Sequence, residues 1–233
     1  MERFFTEAYK NLTPEELENY HKTVFLNMDS EFAVLKRYEY YKDKMKFMGK
    51  GVKIGCGVKF VNPQYISLGD NVLIRDHCTL ICSSSKGITL EENAKLNHGV
   101  YLDTELPDTG YINIGKRVYV GTGCCLHGHN GLEIGDDSLL AQNITITPWS
   151  HKFDDITKTI YSQGGHSKKI VIGKDCYIGK NVCVVYSADI GDGSVIGAGS
   201  VVVKTIPPFS VAVGVPAKVI RKRGEPSKKG AAK

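Results

Sequence analysis

The sequence has no run approaching the ~18 consecutive apolar residues of a membrane-spanning helix, so no span is expected. Its first ten residues, MERFFTEAYK, carry two acids and no apolar core; a secretory signal is not expected there, and a cytoplasmic location is. The cysteines, seven and mostly unevenly spaced, do not form an extracellular disulfide frame. A chain-wide excess of one charge is also lacking. The formal net charge is +5, but from Lys218 to Lys233 seven basic residues stand against the single acid Glu225, a local +6 that leaves −1 for the rest. That cluster suits nucleic acid, an anionic surface or a phosphorylated cofactor. Its end, Lys228 to Lys233, reads as a solvated tail. With 233 residues, the chain has the size of one large domain, or of one domain with an appendage.

What the sequence does have is a period of six. Ile172, Ile178, Val184, Ile190, Ile196 and Val202 are all aliphatic, and Gly173, Gly179, Gly191 and Gly197 follow four of them. The rhythm appears upstream as Leu68, Ile74, Leu80; Leu90, Leu96, Leu102; Ile114, Val120, Leu126; and Ile134, Leu140, Ile146. Short insertions, such as CSSSKG after Ile81 and the turn His127 to Gly131, break the phase. Six fits neither a helix at 3.6 nor a strand at 2. It fits a triangular coil with one strand and one corner per hexad. Position five of each hexad is small as well, and Cys78, Cys124 and Cys176 fall on it, which makes them packing residues. About 170 residues, Gly51 to Ile220, carry the pattern.

These hexads resemble the hexapeptide-repeat acyltransferases. IGDGSVIGAGSVV and IPPFSVAVGVPAKVI look like the closing coils of the branch that O-acetylates maltose, galactosides and lipopolysaccharide sugars. The resemblance implies a mainly β fold, a left-handed parallel β-helix, assembled as a homotrimer with active sites between subunits. It also implies acetyl-CoA as acyl donor and a small sugar acceptor, with no nucleic-acid partner. Residues 1–50 read as a helical appendage covering the first coil: Thr13-Pro14 is a helix start, and Leu17, Tyr20, Val24 and Met28 form an apolar stripe. A second helical segment runs from Ser30 to Met48 and stops at Gly49. His21 reads as a surface residue. The β-helix domain is expected over 51–220 and a basic, disordered tail over 221–233.

The longest break in the rhythm, 150–169, is a candidate active-site loop. LLAQNITITPWSHKFDD matches the family segment in which a catalytic His precedes an acid by three residues, so the resemblance assigns the base to His151 and the acid to Asp154. Imidazole suits the task, because a hydroxyl attacking a thioester must lose its proton near neutral pH. The resemblance places acceptor contacts at His129, Asn130 and Asn143. The sugar acetyltransferases carry Asn and Asp where this chain has Gly121 and His129, a departure from the family pattern at the acceptor contacts. It places the donor against Gly179, Lys180 and Ala198, with Tyr177 stacking on its arm and Lys204, Lys218 and Arg221 meeting phosphate. The Lys180 amide is the implied oxyanion donor.

Three other readings compete: N-acetylation of an amino sugar, a zinc enzyme of the gamma-carbonic-anhydrase type, and a non-catalytic scaffold. His77, His98, His127 and His129 make zinc thinkable, but the required pair of histidines five apart on one coil is missing, so no metal is expected.

Overall fold

Side chains that alternate inward and outward on two- and three-residue strands build the molecule as three flat ladders. In the computed structural model, which describes residues 11–226, strands wind in strict rotation over three faces of a prism. Face A stacks Phe47–Met48, Ile66–Leu68, Ile88–Leu90, Ile112–Ile114, Leu132–Ile134 and Ile170–Ile172. Face B runs from Lys53–Ile54 to Lys218–Lys222, and face C from Lys59–Val61 to Val201–Val202. Within the three faces every pairing is parallel except the closing one, Ser210–Val213 with Lys218–Lys222. The coil is a left-handed β-helix, against the usual right-handed crossover.

The hexad aliphatics fill the prism. Leu68, Ile74, Leu80, Leu96, Leu126, Ile146, Ile178 and Val202 are completely buried. Each is worth about 1.5–3 kcal/mol of transfer free energy. The corner after each face B strand holds a residue with left-handed φ: Gly57, His77, Gly99, Gly123, Asn143, Asn181 and Gly199. Glycine and asparagine tolerate that conformation, which explains their recurrence. His77, at φ 59°, is such a corner residue. Cys78, Cys124 and Cys176 are buried as expected, and Cys78 and Cys124 donate to the Asn97 and Ala141 carbonyls at 2.9 and 3.1 Å.

Within the uniform coil, Ile172 bridges Ile190, eighteen residues on. Earlier turns are longer, and every extra residue emerges at one edge, the corner between faces C and A. Segments 82–87, 104–111, 128–131 and 152–164 all lie there. The last belongs to a hairpin, in which Trp149–His151 pairs antiparallel with Gly165–Ser167.

The appendage departs from expectation in three places. Helix α1 (Pro14–Tyr20) has its capping box, Thr13 with Glu16, but a π-helical turn, His21–Phe25, follows it. The π turn inserts a residue and rotates the buried face onto His21 and Phe25, away from the expected stripe. His21 is therefore not on the surface: it is 3% exposed and stacks on Tyr40 at 4.4 Å. Helix α2 (Glu31–Lys42) ends well before Gly49, because Phe47–Met48 pairs with Ser67–Leu68 as the first rung of face A. Arg37 of α2 is buried and donates to the carbonyls of Phe25, Met28 and Ile54 at 2.5, 2.8 and 2.7 Å, which ties the appendage to the coil.

At the other end the chain is ordered beyond 220. Arg221 and Lys222 belong to the closing strand, and Arg223 binds Asp175 at 2.8 Å. Of the expected tail, 227–233 lies outside the described residues. Among the described residues no helix is long and apolar enough to cross a membrane.

Candidate active site at the hairpin edge

The inserted segments at the C–A edge bring together groups that the hexad pattern leaves facing outward. Tyr101 and Asp103 pair in register with Cys125 and His127 on the next strand of face C. The Tyr101 hydroxyl donates to Asp103 Oδ2 at 2.8 Å, and Asp103 Oδ1 accepts from the Glu105 amide at 2.8 Å. Glu105, held by that turn, meets His127 Nδ1 at 2.9 Å. Burial first, and the bond to Asp103 next, push the Tyr101 hydroxyl up to about 12.

A run of rings continues from His127 across the edge. His127 lies 5.8 Å from His129, His129 stacks on Trp149 at 5.3 Å and 23°, and His151 stands perpendicular to Trp149 at 6.0 Å. Thr109 Oγ1 donates to the His129 carbonyl at 3.0 Å, which fixes the turn. Burial holds the His129 imidazole below the usual histidine pKa. Its Nδ1 is buried and without a hydrogen-bond partner among the described residues. The hairpin leans on the coil through His166 against Tyr186, at 4.4 Å, and Lys168 Nζ on Ser187 Oγ, at 3.1 Å.

The expected residues divide between two edges of face C. His129, half-buried Asn130 and His151 gather at the C–A edge with the hairpin. His151 is exposed, and among the described residues no hydrogen bond or ion pair joins it to Asp154, which is also exposed. Asn143 stands at the opposite, B–C corner, with φ 57°. Gly179, Lys180 and Ala198 line that corner too. A Cβ on Gly179 would lie 2.6 Å from the Ala198 nitrogen, and the Gly199 amide donates to the Lys180 carbonyl at 2.8 Å. Tyr177 is exposed on face B in the register row that leads through Val195 and Val211 to Arg221. Lys218 pairs with Val213 beside the same corner. The Arg221 guanidinium already donates to the Lys222 and Glu225 carbonyls at 3.1 and 2.9 Å. Lys204 stands apart from these, exposed after the last face C strand.

Tyr101, Asp103, Glu105 and Cys125 are site residues that the sequence pattern does not single out. Tyr101, Asp103 and Cys125 lie on consecutive face C strands, with Glu105 in the turn that follows the first, and those positions are the available signal. Among the described residues, no three metal-binding side chains of one chain are arranged to hold an ion.

The repeat and the coil together place the chain in the hexapeptide-repeat family. The family pattern described as the hexapeptide repeat of succinyl-transferase matches residues 65–104, 111–148 and 169–204. Among relatives, the chain is 31% identical over 182 residues to a probable acetyltransferase of Mycobacterium tuberculosis, covering 77% of this chain and 50% of that one. It is 37% identical over 134 residues to the galactoside O-acetyltransferase of Escherichia coli, covering 57% and 63%. It thus spans less than two thirds of either relative's own length. In fold it is similar to a crystal structure of a point mutant of AntD, an N-acyltransferase from Bacillus cereus, in complex with dTDP and coenzyme A. The TM-score is 0.58 at 22% identity, over 84% of this chain and 91% of that one.

Proposed function

We propose that the protein is an acetyl-CoA-dependent acetyltransferase that transfers the acetyl group to a hydroxyl of a sugar or sugar-containing acceptor. One observation carries the reading: the hairpin sets His151 at the end of a ring shelf, His129 and Trp149, on the edge where all the inserted segments meet. The likeness to an enzyme named for galactoside O-acetylation points to the acceptor class. His151 takes the hydroxyl proton as the oxygen attacks the thioester carbonyl, and Asp154 orients or balances the imidazolium. The Lys180 amide donates to the oxyanion. Collapse expels the coenzyme thiolate, which regains a proton from the imidazolium.

The donor groove comprises Gly179, Lys180 and Ala198 at the B–C corner, with Tyr177 against the pantetheine arm and Lys204, Lys218 and Arg221 toward the phosphates. In a single chain, face C separates this groove from His151. A closed threefold assembly of head-to-tail contacts sets one subunit's hairpin edge against its neighbour's B–C corner. The working form is therefore a homotrimer, with Asn143 contacting the acceptor from the neighbouring corner; we further read it as cytoplasmic and without a nucleic-acid partner.

N-acetylation of an amino sugar is the second reading, favoured by the Asp103 and Glu105 carboxylates at the same edge, which suit a cationic acceptor. Thiol release from acetyl-CoA with a panel of sugars and amino sugars separates the two. His151→Ala should lower kcat about a hundredfold or more with donor affinity nearly unchanged. Near-normal turnover removes His151 from the mechanism, and a stable, active monomer by light scattering removes the shared site.

A further inference from the structure

The hairpin strands Trp149–His151 and Gly165–Ser167 form a two-stranded sheet of their own, so contacts outside that pairing set how the hairpin stands on the prism. Opposed residues of an antiparallel pair point to the same face, and successive residues to opposite faces. Trp149, His151, Gly165 and Ser167 therefore share one face of the hairpin, and Ser150 and His166 share the other. The contacts agree: the Trp149 ring lies 6.0 Å from His151 and fills the space over Gly165.

Each face meets a ring from a different coil. On the first, Trp149 stacks on His129, from the turn one coil before the hairpin. On the second, His166 meets Tyr186 at 4.4 Å and 57°, from the turn one coil after it. That later coil carries no insertion, since Ile172 bridges Ile190, and its corner forms a ledge beside the hairpin. Val185 stands there in place of the glycine that follows four other aliphatics of the run, and Tyr186 comes next. Ser187 bends the ledge with a left-handed φ of 68°, uncommon for a residue with a side chain. The returning chain is fastened to this ledge in order: His166 to Tyr186, Lys168 Nζ to Ser187 Oγ at 3.1 Å, and the Val171 amide to Asp189 Oδ1 at 2.8 Å. Tyr186 itself is only partly buried, unlike the aliphatics that fill the prism.

We propose that Tyr186 is a positioning residue for the base: its ring braces His166 on one face of the hairpin while His129 braces Trp149 on the other. This rests on the reading of His151 as general base. A single ring stack leaves the hairpin free to tilt away from it. Two stacks on opposite faces block displacement in either direction, and His151 lies on the strand between them. The brace matters because proton transfer needs the imidazole within about 2.6–3.2 Å of the acceptor hydroxyl. A displacement of about 1 Å is enough to cost on the order of a hundredfold in rate.

The test is Tyr186→Ala and His166→Ala in the full chain, read by steady-state kinetics and by the emission of Trp149, the single tryptophan. Each should lower kcat about tenfold or more, leave the KM for acetyl-CoA within about twofold, and shift the emission to the red. The double variant should be no worse than either single one, because the two rings form one contact. Tyr186→Phe keeps the ring and should restore both kcat and emission. Wild-type kcat and emission in Tyr186→Ala overturn the brace. Wild-type kcat with a shifted emission overturns the positioning role, since the hairpin then moves without consequence for His151. A loss in Tyr186→Phe equal to that in Tyr186→Ala assigns the effect to the hydroxyl and overturns the proposal as well. Near-normal turnover by His151→Ala is a different failure: it removes the base itself, and the positioning role goes with it.

Discussion

The His129 imidazole lies almost flat on the indole of Trp149, the single tryptophan of the chain. Tryptophan fluorescence therefore reports on this one site. Burial disfavours the charged form of His129 and holds its pKa below 6.5. Above pH 6.5 both folded and unfolded chains carry the neutral ring. As pH falls below that value the unfolded chain binds the proton first, so stability is lost until the folded pKa is passed. Buried His21 has the same sign. Fluorescence should be quenched with a midpoint below 6.5, when an imidazolium forms against the indole, and His129→Gln should abolish the transition. A midpoint above 6.5, or a transition that survives in His129→Gln, contradicts the assignment.

Gly165 faces Trp149 across the hairpin, and its missing side chain makes room for the indole: a Cβ there would fall inside the six-membered ring's contact distance. Gly165→Ala should push Trp149 off His129 and move His151 with it. The expected outcome is a fall in kcat of about tenfold or more, with a melting temperature within a few degrees of wild type because the hairpin lies outside the packed prism. Unchanged kcat would show that the Trp149 shelf does not set the position of His151.

The prism is legible in the sequence because buried aliphatics at a period of six leave few alternatives. The hairpin is legible as the longest interruption of that period. Glu105 and Cys125 are not, because sequence distance hides them: twenty residues apart, they come to opposite nitrogens of one ring, Glu105 to His127 Nδ1 and Cys125 to His127 Nε2. The burial of His21 escapes the pattern because a stripe at spacings of three and four assumes an unbroken α-helix. The Leu26 amide reaches back five residues to the His21 carbonyl, which shifts the phase.

Arg37 is another residue that sequence pattern alone does not reveal. Its buried guanidinium donates to three carbonyls, from Phe25, Met28 and Ile54. Arg37→Leu leaves three buried acceptors unmet, at a cost of about 3 kcal/mol or more. Hydrogen exchange should show protection lost over 14–42 while the coil strands keep theirs. Arg37→Lys should recover little, since one ammonium does not reproduce a fork that spans three directions. Equal protection in the Leu variant would mean that apolar packing alone holds the appendage.

Asn143 has two demands on it that separate cleanly by substitution. Its φ of 57° is left-handed, and its Oδ1 lies over Gly123, where a Cβ would come within 2.6 Å. Asn143→Ala should cost about 1–2 kcal/mol from the backbone alone. Asn143→Gly relieves that strain and should melt near wild type. If the exposed amide meets the acceptor from a neighbouring subunit, the Gly variant should still raise the acceptor KM about two- to tenfold, the value of one hydrogen bond. Wild-type KM in a fully stable Gly variant would confine Asn143 to the corner, and the acceptor would then be held by the hairpin edge alone.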